Sequence, residues 1–252
     1  MIPYITPEDF PQLPIPIFSA FVLIGFIVGI AWCVWRGRSI NLSPLEVIEM
    51  TLWTAIPAYL GSHIIDALIY FPEKVLADPM YLLDFGKGLS AFGGLLTGTF
   101  AYTLYLKMTG NLSQWFERSD IIIQAFIMTW IFGRMGCSVV HDHPGILSDF
   151  ILAVDYPGGS RHDLGFYELL YTLIVLLPAS FIIHHKKMPA GSQLTVFLVL
   201  YALYRWPSDI LRIVDIRYFG WTPGQYASLL ILGLAYAIYH FKIKKNVKVT
   251  QV

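Results

Sequence analysis

The fold class predicted for this chain of 252 residues is an all-α integral membrane protein, with seven transmembrane helices around an outward-facing cavity. Three observations predict it. The chain is 56% hydrophobic and only 13% charged, with a mean hydropathy of +0.60, well outside the composition of an ordinary soluble domain. Its apolar residues gather in stretches of the length that crosses a ~30 Å hydrocarbon core, about 20 residues each. The ionisable residues inside those stretches fall at one depth, and charged groups at membrane depth face a cavity or each other.

The stretches run roughly 15–36, 44–71, 89–107, 119–140, 164–185, 190–213 and 222–243. Together they occupy the chain as a single polytopic membrane domain, 1–252. Spans one, three and seven are nearly free of charge. The third begins in "GKGLSAFGGLLTG", where Gly93, Gly94 and Gly98 lie on or near one face and permit close helix approach. The fourth must stop before Pro144-Gly145, because the residue ahead of a proline avoids helical backbone. His143 then sits in a turn. The sixth carries Pro207, which removes a backbone hydrogen bond and predicts a kink.

Charge narrows the classes further. There are 17 basic and 17 acidic residues, so no basic patch of the kind nucleic acid requires is present, and nucleic acid is not an expected partner. Cys33 and Cys137 both fall in or at the end of spans, which argues against a disulfide framework. No Lys or Arg precedes the first apolar run, so a cleavable signal peptide is not expected. Ten of the basic residues, Arg36, Arg38, Lys107, Arg118, Lys186, Lys187, Lys242, Lys244, Lys245 and Lys248, occupy the connections and tail on one side. The other face has Lys74, Lys87, Arg161, Arg212 and Arg217. That asymmetry places the N-terminus outside and the C-terminus in the cytoplasm.

Spans two, four and six then run outward, and at 1.5 Å per residue Arg134 and Arg205 each lie about 22 Å above the start of their span. His63 and Asp66 come late in span two. Arg134, His141, Asp142, His143, Arg205, Asp209 and Arg212 are expected to converge on one cavity open to the outer leaflet. In "YALYRWPSDILR", Tyr201, Arg205, Asp209 and Arg212 share a single helical face. The competing reading of Arg205 and Asp209 is a buried ion pair that only stabilises the bundle. "HDH" at 141–143 offers imidazole and carboxylate, which suit zinc or another divalent ion and which His63, Asp66 and His162 could join. The spacing matches no zinc motif, so the turn is read as a hydrogen-bonded network and no metal is assigned.

These residues resemble the prolipoprotein diacylglyceryl transferase family over nearly the whole chain. "GRMGCSVVHDHPG" is similar to the family's Gly-Arg-x-Gly-Asn segment ending in Glu-x-x-Gly, keeping Gly133, Arg134, Gly136 and Gly145. "RHDLGFYE" keeps Arg161, His162, Tyr167 and Glu168 of Arg-His-Pro-Ser-Gln-Leu-Tyr-Glu. Tyr201, Arg205, Asp209 and Arg212 match the family's Tyr, Arg, Glu and Arg in span six, and "GWTPGQYASL" resembles its last-span start. The departures are Cys137 at the family's asparagine, Asp142 at its glutamate, Phe18-Ser19 at Tyr-Gly and His63 at a common arginine. Phe92 stands where a histidine precedes the Gly93-Gly94 pair.

The resemblance implies transfer of a diacylglyceryl group from phosphatidylglycerol to the thiol of a lipobox cysteine in a prolipoprotein. The implied protein is a monomer of the bacterial inner membrane, without a cofactor. Its partners are phospholipid, the lipobox-containing prolipoprotein and the bilayer. Arg134 and Arg205 suit phosphate, because the guanidinium fork binds it bidentately and stays charged when buried. With Phe92 in place of a histidine, the base is sought among His141, His143 and His162, with Asp142 between the first two. Gly145, Tyr201, Asp209, Arg212, Gly93, Gly94 and His162 complete the expected substrate-binding set. Two readings stay open: another phospholipid headgroup transferase or hydrolase using the same arginines, and a non-catalytic lipid-binding membrane protein.

Overall fold

The computed structural model describes residues 1–10, 14–84, 88–213 and 215–244; Gly86, Lys87, Lys245 and Lys248 lie outside the described residues. In chain order the helices are α1 (Ile17–Gly37), α2 (Pro44–Tyr70), α3 (Pro72–Ala77), α4 (Ala91–Met108), α5 (Trp115–Val140), α6 (Leu164–Tyr171), α7 (Leu177–His185), α8 (Ser192–Ser208) and α9 (Pro223–Ile238). Between α5 and α6 lies an antiparallel sheet of three strands, β1 (Pro144–Leu147), β2 (Val154–Tyr156) and β3 (Gly159–Asp163), in the order β1-β3-β2. The fold is mostly helical, consistent with an all-α membrane protein, and the small sheet is an addition the sequence did not predict. Strands of three to five residues are too short to show an alternating pattern, and their turn is made by Gly158 and Gly159, at φ +92 and +123.

Among the described residues, six helical stretches are long and apolar enough to cross a membrane: Ile17–Ile40, Pro44–Tyr70, Leu112–Val140, Leu164–His185, Ser192–Leu211 and Pro223–Ile243. The protein is a multi-pass membrane protein. The remaining expected span forms as α4, with 18 residues, but its glycines, threonines, tyrosines and Lys107 leave it less apolar than the six. Leu164–His185 stays helical through Pro178 by widening into a π turn over Thr172–Leu176, which accommodates the missing proline N–H.

The chain divides into two compact units, Met1–Cys33 with Ser119–Val252, and Val34–Arg118. In the second, α2 packs on α4 along a seam of small residues. A Cβ on Gly93 would lie 2.8 Å from Ile65 Cβ, and one on Gly61 would lie 2.3 Å from Thr97, so the two backbones meet only because side chains are missing. Gly94 lies at the same seam, against Ala58 O and Ser62. Ser90 caps α4 by accepting from Gly93 N at 3.3 Å. His63 is buried, its ring nitrogens 3.2 Å from Gly88 O and 3.1 Å from Tyr81 O.

The first unit is apolar outside and polar within. Leu23, Ile27, Ile174, Leu203, Leu230 and Leu234 are exposed, whereas Arg134, Glu168, Arg205, Asp209, Thr222, Gln225 and Ser228 are buried. Hydrocarbon can cover the first set at no cost, and the second set must find partners inside. They do so near the chain reversals: α5 ends at Val140, α6 starts at Leu164, α8 ends at Ser208 and α9 starts at Pro223. The span-six pattern is altered here. Pro207 falls in the last turn of α8, after which the chain tightens into a 3-10 turn over Asp209–Leu211, leaving Arg212 extended at φ −71, ψ 135. A kink within a longer helix and one continuous polar face are thus replaced by a helix end. Arg212 reaches Asp209 from outside it.

Candidate active site

Arg134 occupies the last two turns of α5 and is buried. Its Nε lies 3.2 Å from Glu168 Oε2 on α6, a carboxylate even more buried than the arginine. The guanidinium carbon sits 4.3 Å from the Trp130 ring centroid, one turn back, a cation–π contact of about 0.5–2 kcal/mol. Nη1 donates to Cys137 Sγ at 3.6 Å, and Nη2 has no acceptor among the described residues. Trp130 meets Tyr201 edge-on at 6.4 Å, and Tyr201 stacks on Phe197 at 5.7 Å. Arg134 therefore stands on an aromatic floor with one edge braced by an acid.

Arg205 is held in the same manner. Its Nη2 lies 3.1 Å from Asp209 Oδ1, and Arg212 Nε lies 3.0 Å from the same oxygen. The other carboxylate oxygen accepts from Thr222 Oγ1 at 2.8 Å. Thr222 also caps α9, taking the Gln225 N–H at 3.1 Å while Gln225 Oε1 accepts from Thr222 N, the reciprocal box that a Thr-Pro-Gly-Gln start encodes. Gly224 makes the approach feasible, since a Cβ there would fall 2.2 Å from Asp209 Oδ2. Tyr201 lies within range of the charges of Arg134, Glu168, Arg205 and Asp209. Burial, together with Arg205, pulls Arg212 below the ordinary arginine range, against the opposing carboxylates Asp209 and Asp215.

The turn after α5 separates the two histidines. His141 takes left-handed backbone at φ 51 and so ends the helix three residues ahead of Pro144. Such backbone costs a non-glycine residue about 1–2 kcal/mol, and the side chain offsets it. Nδ1 lies 2.5 Å from Asp163 Oδ2, Nε2 lies 2.8 Å from Ile5 O, and the ring stacks on Tyr4 at 4.3 Å. Both partners are acceptors, so the two bonds together require hydrogen on both nitrogens. Asp163 in turn accepts from Tyr156 Oη at 2.9 Å and caps α6 through Phe166 N at 2.9 Å. His141 is thus the tie between the N-terminal residues, the sheet and α6.

His143 is bound differently. Nδ1 pairs with Asp142 Oδ1, and Nε2 has no partner among the described residues. Burial raises the Asp142 carboxyl, but the hydrogen bond and charge of His143, with Arg134, outweigh it and hold the carboxyl below its ordinary value. Cys137 Sγ lies within 4.8 Å of the facing atoms of Asp142 and His143. Gly145 is packed between β3 and the extended residue after α8: it bridges to Arg212, and a Cβ would meet His162 Cβ at 2.9 Å and Leu211 O at 3.0 Å. His162 Nδ1 lies 2.8 Å from Tyr167 Oη, and burial lowers its pKa. Gly93 and Gly94 belong to the other unit, at the α2–α4 seam.

Arg134 and Arg205 are thus both buried and each braced by an acid, Glu168 and Asp209. The family model for prolipoprotein diacylglyceryl transferase matches residues 8–241. The chain belongs to the prolipoprotein diacylglyceryl transferase family. It is similar to the proteins named phosphatidylglycerol–prolipoprotein diacylglyceryl transferase of three bacteria. The Chromohalobacter salexigens protein is 25% identical over 229 residues, covering 85% of each chain. The Actinobacillus pleuropneumoniae protein is 27% identical over 261 residues, covering 94% of this chain and 97% of the relative. The Nitratidesulfovibrio vulgaris protein is 28% identical over 235 residues, covering 86% and 85%. For this member of the transferase family, geometry adds to the sequence-derived set Glu168 as the partner of Arg134, and Thr222 and Gly224 as the seat of Asp209. Their signal was present in "FYE" and "TPGQ", but only the fold brings them to the arginines.

Proposed function

We propose that this chain transfers the diacylglyceryl group of phosphatidylglycerol to the thiol of a lipobox cysteine in a prolipoprotein. The observation that carries the reading is the arginine pair: Arg134 and Arg205, each buried and each braced on one side by a carboxylate, Glu168 and Asp209. In water-poor surroundings such preset donors stabilise charge that grows on a leaving phosphate, without reorganisation at the moment of reaction. A C–S bond forms to the glyceryl carbon as the bond between that carbon and the phosphate ester oxygen breaks, and glycerol phosphate departs with that oxygen. The thiol proton goes to Nε2 of His143, whose tautomer is fixed by Asp142 at Nδ1. Tyr201, Asp209, Arg212, Gly145 and His162 shape the substrate side of the site.

The same proposal includes the topology. α4 makes the seventh crossing, the cavity opens toward the outer leaflet, the N-terminus is outside and the C-terminus cytoplasmic, as the distribution of Lys and Arg supports. The protein acts as a monomer in the bacterial inner membrane. The test is product identity. Purified protein is incubated with phosphatidylglycerol labelled in its diacylglyceryl part and a lipobox peptide. Label should appear on the peptide as a thioether; label released only as diacylglycerol would replace this reading with a hydrolase.

A further inference from the structure

Cys137, Asp142 and His143 bring a sulfur, a carboxylate oxygen and an imidazole nitrogen to within 4.8 Å of one another. Three different ligand types meet because His141, in left-handed backbone, turns the chain back so that Asp142 and His143 fold over the last turn of α5. The position is held from both sides: His141 N bonds Cys137 O at 2.9 Å, and Leu164 N bonds His143 O at 3.0 Å. The sulfur lies outside "HDH", on Cys137 four residues before His141. Histidines that could have joined "HDH" are engaged elsewhere, His162 with Tyr167 and His63 with Gly88 and Tyr81.

We propose that Cys137, Asp142 and His143 form a binding site for a divalent transition-metal cation, with zinc the ion their chemistry fits best. Thiolate with imidazole and one carboxylate suits zinc and cobalt and disfavours magnesium and calcium, which take oxygen ligands. At zinc bond lengths of about 2.0–2.3 Å, tetrahedral ligands stand roughly 3.5 Å apart, so the widest separation needs to close by about 1 Å while the directly paired Asp142 and His143 move apart to admit the ion. On binding, the Cys137 thiol gives its proton to solvent, the imidazole coordinates as the neutral base, and the dication is balanced by one thiolate and one carboxylate. The neighbouring Arg134 is already paired with Glu168 at 3.2 Å. Asp142 and His143, with side chains 39% and 26% exposed, give the ion a way in, and three protein ligands leave a fourth position open.

Such an ion would break the Asp142–His143 pair and so slow acyl-glyceryl transfer. That consequence rests on the proposed function, whereas occupancy of the site does not. The test is therefore binding. The purified full-length protein in detergent is titrated with cobalt(II) and followed by the thiolate-to-cobalt charge-transfer absorption, then back-titrated with zinc. The expected result is a sulfur band saturating at one cobalt per chain, abolished by zinc, kept in Cys33→Ala, lost in Cys137→Ala, and weakened at least roughly tenfold in affinity in His143→Gln. Wild-type protein that shows no saturable sulfur band overturns the site whatever the variants do. A band that survives Cys137→Ala overturns it as well.

Discussion

Residues 141 and 143 differ by two positions and by what holds them. His141 has a buried side chain, 6% exposed, with both nitrogens and one ring face engaged, so its replacement removes a tie between three segments. His143 keeps one nitrogen available. His141→Gln should lower stability by about 2–3 kcal/mol, the worth of a buried hydrogen bond to a charged group, with folded molecules still turning over. His143→Gln should leave the melting temperature nearly unchanged and reduce transfer by roughly 100-fold, as expected for loss of a general base. Thermal unfolding and single-turnover transfer, measured on the same preparations, separate the two; the reverse assignment of effects would show that His141 carries the proton. The sequence could not make this distinction, because "HDH" presents two equivalent imidazoles. Only the left-handed turn at His141 and the distant partners Ile5 and Asp163 tell them apart.

At the scale of elements, the start of α9 sets the position of Asp209, and Asp209 sets two arginines. Gly224 is the contact between them. Gly224→Ala should displace the Asp209 carboxylate, cost about 1–3 kcal/mol as overpacking does, and reduce transfer by a larger factor than the stability loss explains. Gly233→Ala on the same helix meets nothing within 4 Å and serves as the comparison, with unchanged activity and a neutral or slightly raised melting temperature. Equal activity in both variants would detach α9 from the site. The spans themselves were legible, because hydrophobic length is a one-dimensional signal; the expected 164–185 and the observed Leu164–His185 coincide. The helix ends were read less well. The 3-10 turn at Asp209–Leu211 and the short sheet arise from local backbone pairing in polar segments, where no apolar period exists to be read.

Across the molecule, the sequence marks which apolar stretches contain charged residues, and the structure supplies their partners. Arg134 and Arg205 were recognisable from their position alone. Glu168 as the counter-charge of Arg134 was not, since it lies 34 positions further along the chain with a turn and a sheet in between, and it emerges only when α6 packs beside α5. The central claim is that these two guanidiniums act on a phosphate through directed hydrogen bonds rather than through charge alone. Arg134→Lys and Arg205→Lys keep the charge and lose the planar fork. The deciding measurement is the single-turnover rate of diacylglyceryl transfer to a lipobox peptide by each lysine variant at saturating phosphatidylglycerol, on protein whose unfolding temperature matches the wild type. Each rate should fall by roughly 100-fold, the scale of losing one preset donor at a developing anion. Rates within a factor of about three of wild type in both variants would contradict the account.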